Sequence, residues 1–234
     1  NYNSRDGYID NVQPGRDSVN DRDRYALRGQ LLVEPSDDLT IRLIADTSSI
    51  TEDCCGAPFF FNLPANAART TALGATLLPD DIYKREIKFD RALETEQEQS
   101  GLSAQVDWER DNLTFTSLSA FRDFEETNDI DADFIDIELS GVLQNHADRQ
   151  VFTQEFRLQS TGDNGFDWMV GYYYYDADQE TGGDNRLGSF ARPFFDLAIG
   201  GLVTTIEGLK GAPAGSYIGS GTGRLSEFDL QTTS

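Results

Sequence analysis

The chain has 234 residues, with 41 acidic side chains against 19 basic ones and a net charge of -22; that length suits a single all-β unit. The excess of negative charge argues against a polyanionic partner and excludes nucleic acid from the expected partners. No apolar run approaches the roughly 18 to 20 residues of a transmembrane helix, an exclusion that does not reach spanning β-strands, which alternate.

From Arg24 the stretch RYALRGQLLVE places Tyr25, Leu27, Gly29, Leu31 and Val33 on one face of a strand and Ala26, Arg28, Gln30, Leu32 and Glu34 on the other. PSDD supplies turn residues, and LTIRLIADTS returns with Leu39, Ile41, Leu43 and Ala45 opposite Thr40, Arg42, Ile44 and Asp46. A second hairpin begins at GLSAQVDWERD, where Leu102, Ala104, Val106 and Trp108 oppose Ser103, Gln105, Asp107 and Glu109. It turns at Asp111 and Asn112 and continues as LTFTSLSAFRDFEE, whose faces are less cleanly divided. In the third, Phe152, Phe156 and Leu158 oppose Thr153, Glu155, Arg157 and Gln159; TGDNG turns the chain, and FDWMVGYYYYD sets Trp168, Val170, Tyr172 and Tyr174 against Met169, Gly171, Tyr173 and Tyr175.

Short turns at 35 to 38, 110 to 112 and 161 to 165 alternate with long segments at 49 to 97, 128 to 149 and 177 to 224, against a usual loop of about 4 to 6 residues. That asymmetry, and a second face too polar for a sandwich core, predict an antiparallel up-and-down transmembrane β-barrel with its long loops on the extracellular side. About seven or eight strands are present, so the expected form is a partial barrel spanning 1–234. Tyrosine needs an apolar bed for its ring and a wet partner for its hydroxyl. Tyr172 and Tyr174 are therefore expected in an aromatic girdle at the extracellular boundary.

The only histidine, His146, lies in LQNHADRQ without a serine motif, and the chain is read as non-enzymatic. NDIDADFIDIE spaces Asp129, Asp131, Asp133, Asp136 and Glu138 as oxygen donors, yet without the glycine and closing glutamate of an EF-hand. A solvated acidic loop is the default, and no metal or other cofactor is expected. Cys54 and Cys55 are adjacent and form either a vicinal disulfide, the favoured state, or two thiols. Phe59, Phe60, Phe61, Phe190, Phe194 and Phe195 lie in the first and last long segments, where they either contact a small-molecule ligand or pack the loops together. PFFDLAIGGLVTTIEGLKG reads as a short helix weakened by Gly200 and Gly201.

The stretches RYALRGQLLVEPSDDLTIRLIAD, LTFTSLSAFRDFEE and FTQEFRLQSTGDNGFDWMVGYYYYD resemble the barrel of TonB-dependent outer-membrane receptors, in the branch common in sphingomonad-like Gram-negative bacteria. The resemblance covers most of the strand-forming sequence. It implies a fragment of a barrel of about 22 strands that takes up a scarce solute, most often an iron–siderophore complex, with energy delivered through TonB. Neither the plug that contacts the TonB complex nor the closing strands is expected within 1–234, so the segment is not expected to transport alone. Outer-membrane lipid and lipopolysaccharide are the implied surroundings, and Arg28, Arg42, Glu155 and Arg157 the implied lumen-facing residues. The rival reading is a soluble extracellular binding module or adhesin, an all-β sandwich with acidic loops.

Overall fold

The computed structural model describes residues 1–162, 165–218 and 224–233. Asp163 and Asn164 of the third expected turn, and the end of the last long segment, lie outside the described residues. Eight strands form one antiparallel sheet: β1 (Tyr2–Arg5), β3 (Arg22–Ser36), β4 (Leu39–Glu52), β6 (Glu94–Arg110), β7 (Leu113–Asp129), β8 (Ser140–Ser160), β9 (Met169–Leu187) and β10 (Arg224–Thr233), hydrogen-bonded in that order. A small parallel pair, β2 (Asp10–Asn11) and β5 (Glu86–Ile87), stands apart from it. Among the described residues β1 and β10 do not pair with one another, and the sheet is open. No described helix is long and apolar enough to cross a membrane.

The alternation of long and short links is present and extends to the start of the chain. β3 joins β4 through Asp37 and Asp38, and β6 joins β7 through Asp111 and Asn112. The link from β8 to β9 leaves the same rim as those two. Because β1 runs antiparallel to β3 with Arg5 opposite Arg22, the segment 6–21 emerges at the opposite rim, together with 53–93, 130–139 and 188–218.

The strands are taller than the hydrophobic pattern indicates. Residues 143–149 and 177–187 belong to β8 and β9, where sequence reading expects loop. Their side chains are polar on both faces, so alternation fades there. What keeps them extended is ladder pairing, as at Gln144 to Asp184 and Ala147 to Thr181; a neighbouring strand overrides weak local propensity.

Register aligns the apolar residues of successive strands on one face. Leu31, Leu43 and Ala104 form one row, Val33, Ile41 and Val106 another. Below them Trp108, Phe115, Leu158 and Val170 lie side by side, and above them Leu102, Phe121 and Phe152. From Leu102 to Trp108 the band covers seven residues, about 20 Å of strand. LTFTSLSAFRDFEE resolves here: Phe115, Ser117, Ser119 and Phe121 share the apolar face. The serines do not leave open polar groups, since Ser119 donates to the Gln154 amide oxygen at 2.5 Å and Gln154 donates to Ser117 at 3.1 Å.

Among the described residues nothing covers this face: Leu27 is 69% exposed, Leu102 63% and Leu31 56%. The polar face is the more enclosed, with Ile44, Asp46 and Ser48 half-buried while Leu43, Ala45 and Thr47 are exposed. The sheet therefore curls toward its polar side.

The buried core lies in the loops. Ile9 and Val19 from 6–21 pack with Ile87, Phe89 and Leu93 from 53–93, and Ile130 and Phe134 from 130–139 close the cluster. A second cluster joins Ala75, Ile135 and Ile137 to Leu77, Leu139 and Phe190. All four long links thus interlock into one cap on one rim. Gly56 fits against the first cluster because a Cβ there would stand 2.8 Å from Val19 and 3.1 Å from Ile87. The cap should fail independently of the sheet. Phe89→Ala, a large-to-small change at a 1% exposed side chain, is expected to cost about 3 to 5 kcal/mol of cap stability. Limited proteolysis should then cut within 53–93 and 130–139 while the strand signal in circular dichroism persists; simultaneous loss of both would show one cooperative unit.

Candidate functional site

The enclosed face carries the four residues expected to line a lumen. Arg42, Gln105, Leu118 and Glu155 occupy one cross-strand row, Asp107, Thr116 and Arg157 the next, and Arg28 lies on the same face opposite Asp46. Several charges on this face are satisfied in place. Glu155 pairs with Arg157 at 2.9 Å; Asp107 accepts from Thr116 at 2.6 Å and from Gln105 at 2.7 Å; Arg24 holds Glu52. Arg122 reaches Asp46 with two contacts of 3.1 and 3.2 Å across Gly101. A Cβ at Gly101 would stand 2.9 Å from that guanidinium, so the missing side chain is what lets the arginine lie flat over the intervening strand.

The exposed face above the apolar band is strongly acidic. Glu98, Glu125, Asp148 and Glu180 stand side by side on β6, β7, β8 and β9, with Asp123 and Asp178 in the row beneath. Like charges placed directly across strands repel. Tyr174 sits at the lower edge of this belt and donates its hydroxyl to Asp176 at 2.9 Å. Tyr172 stacks on Phe156, 6.5 Å between centroids. Tyr173 and Tyr175 point to the enclosed face. His146 is a strand residue of β8 rather than a loop residue, 3.8 Å from Asp229; the hydrogen-bonded pairing of its polar neighbours is what the sequence pattern hides.

At the loop rim the predicted aromatics divide. Phe59 borders a crevice with Phe89 and Phe134, and Phe190 packs on the second cap cluster. Phe60 and Phe61 are 75% and 59% exposed and meet edge to face at 6.2 Å. Phe194 and Phe195 make a similar pair at 5.8 Å. The single helix expected near Phe194 is two, one over Ala191–Ala198 and one over Leu202–Lys210, divided at Gly200 and Gly201, whose φ angles of 65° and 81° suit glycine. Buried Glu207 locks the pair: it accepts from Arg192 at 2.8 Å and from the backbone amides of Gly215 and Tyr217 at 3.0 and 3.2 Å. The arginine holds the Glu207 carboxyl well below the usual range.

The acidic run is not a solvated loop. Asp131 is completely buried and accepts from the amides of Asp133 and Phe134 at 3.2 and 2.9 Å. Asp133 in turn accepts from the Ile135 amide at 3.1 Å. Asp90 arrives from 53–93, so that carboxylate oxygens of Asp90, Asp131 and Asp133 lie within 4.8 Å of one another. One Asp90 oxygen is buried without a hydrogen-bond partner. Three such oxygens could take a hard divalent cation or share a proton. Asp129 and Asp136 are occupied elsewhere, by Arg91 at 2.9 Å and Lys88 at 2.8 Å. Sequence reading finds Asp131 and Asp133 but misses Asp90, which approaches only through the fold of the cap. Cys54 and Cys55 are joined as a vicinal disulfide beside Gly56.

No family model, curated relative or solved structure matches the chain, and its chemistry is read from its own residues. Burial, and then the charge of Asp131, push Asp90 up to about 7; burial likewise raises Asp133 to about 7, with Asp131 adding to it. Folded pKa values above the unfolded ones mean that protonation favours the folded cap. Its contribution is complete below the ordinary carboxylate pKa of about 4 and is lost as pH rises through about 7. Amide exchange in 86–93 and 130–139 should accelerate between pH 5 and pH 8 beyond the intrinsic base-catalysed increase, and Asp90→Asn should flatten that dependence. An unchanged profile in the variant would contradict the assignment.

Proposed function

We propose that the chain is part of the transmembrane β-barrel of an outer-membrane active-transport receptor, with its apolar face toward lipid and its polar face toward the barrel interior. One observation carries the reading: a single sheet, one layer thick, leaves a continuous apolar band uncovered among the described residues, while the two buried hydrophobic clusters lie in the long links. In a soluble protein such a face is buried against a second layer. The rival sandwich requires two packed sheets, and the eight long-range paired strands make one.

Three further features agree with it. The band of about 20 Å approaches the ~25 Å apolar belt of outer-membrane barrels. Tyrosine and tryptophan border it, where amphipathic rings favour an interface. Tight turns and long links segregate to opposite rims. From Leu27 to Ser36 the outer edge of β3 has no described partner strand, and β10 leaves a second open edge. Unpaired edges in lipid are costly, so further strands are proposed to close the barrel in the intact receptor. The proposed cargo is a scarce solute, an iron–siderophore complex first, admitted past the loop cap and driven through TonB by a plug outside this segment.

Two neighbouring substitutions test the orientation. Leu43 lies mid-band on the apolar face, Ile44 on the enclosed one. Refolded into phospholipid vesicles, Leu43→Arg is expected to lose about 2 to 4 kcal/mol, the midplane cost of a lipid-facing arginine, whereas Ile44→Arg stays within about 1 kcal/mol. Equal losses, or a larger loss at Ile44, would reverse the assignment.

A further inference from the structure

Above the apolar band the outer surface carries carboxylates, whereas at the same height the enclosed surface mixes charges: Arg122 and Arg149 with Asp46 and Glu126. Arg122 is neutralised by Asp46. Arg149 is not: its guanidinium lies over the Phe124 ring, 5.9 Å from the centroid, and among the described residues no carboxylate pairs with it. Arg28 and Arg42 on the same face also lack an ion pair among the described residues, but Arg149 alone of the three lies over an aromatic ring.

Beside it the wall is hollow. Ser103, Ala120 and Thr153 form a floor of small side chains below Arg122, Phe124 and Arg149, and the depression they bound has a volume of about 390 Å³. Its chemistry is mixed in a way suited to a small ligand: an aromatic ring for an apolar body, a guanidinium that can grip two oxygens at once, and a floor that leaves space. Pockets for small molecules usually begin at about 300 Å³. Gln99, which donates to Ser48 at 2.8 Å, also borders the hollow.

We propose that this hollow is a binding site for a compact organic anion, a carboxylate carried on a planar unsaturated body. The carboxylate pairs with Arg149, and the body lies over Phe124. The inference deepens the transport reading and rests on it for its meaning, since only in a closed barrel does the enclosed face border the solute's path. It gives the cargo a chemical class: an anionic, ring-bearing molecule or a complex presenting such a group.

The test uses the whole chain folded in detergent micelles, with benzoate as probe and benzyl alcohol as its uncharged counterpart, followed by calorimetric titration and by ring chemical shifts of Phe124. Benzoate is expected to saturate and to bind at least about tenfold more tightly than benzyl alcohol, as a charge-assisted contact requires. Arg149→Gln and Phe124→Ala should each weaken benzoate by about tenfold or more, Arg149→Lys should restore part of the loss, and Arg110→Ala, at the far end of the opposite face beside Trp108, should change nothing. Absence of saturable benzoate binding, equal affinity for the alcohol, or full binding by Arg149→Gln with an unchanged circular dichroism spectrum would overturn the proposal. Because these measurements need no bilayer, they separate from the vesicle test: Arg149-dependent binding with failed insertion would remove the membrane reading alone, and insertion without benzoate binding would remove the site alone.

Discussion

A sheet one layer thick has two faces and can turn only one of them inward. In this chain the face turned inward is polar, and the one left outside carries Leu27, Leu31, Leu43, Leu102, Phe121 and Tyr172. Everything else follows from that inversion. The interior holds its charges in local pairs, such as Arg122 with Asp46 and Arg157 with Glu155, because water-accessible arginines and carboxylates tolerate one another at little cost. The exterior has no packing partner within the described residues. The hydrophobic effect that holds an ordinary domain together therefore acts here in the loops, and in the sheet only through whatever medium surrounds it.

Two structural parts with different sources of stability result. The sheet is specified by register and backbone ladders, which the long strands β6 to β9 share over nearly their whole length. The cap is specified by a small core around Phe89 and Leu93, by an ion pair that ties one link to another, Lys88 to Asp136, and by one that braces the last link internally, Arg192 to Glu207. Within the cap sit three carboxylates, Asp90, Asp131 and Asp133, whose oxygens lie within 4.8 Å of one another. A buried group of that kind makes the cap sensitive to pH, and in the proposed receptor it places that sensitivity at the entrance.

Much of the sheet was legible because period-2 alternation survives wherever one face is apolar: Leu39 to Asp46, Leu102 to Glu109 and the tyrosine run all fall as the pattern predicts. It failed where both faces are polar. Residues 143–149 and 177–187 have no apolar face to alternate, and His146 consequently read as a loop residue. The four-residue β1 is too short to show any pattern. In the cap, the aromatics and Asp131 were visible as candidates, but their neighbours were not. Asp90 meets Asp131 and Asp133 only after two long links have folded against each other, and no local signal records that. Arg149 and Phe124 belong to the same class: each is an ordinary strand residue until register sets them side by side.

The central claim is that the apolar face meets lipid and the enclosed face meets water. Nitroxide labels placed one at a time from residue 101 to residue 108 of β6, with the chain folded into phospholipid vesicles, measure this directly through collisions with oxygen, which concentrates in the bilayer, and with a water-soluble nickel chelate. The account predicts alternation with a period of two, oxygen access peaking at 102, 104, 106 and 108 and nickel access at 103, 105 and 107. Uniform nickel access along the strand, or oxygen maxima at the odd positions, would contradict it.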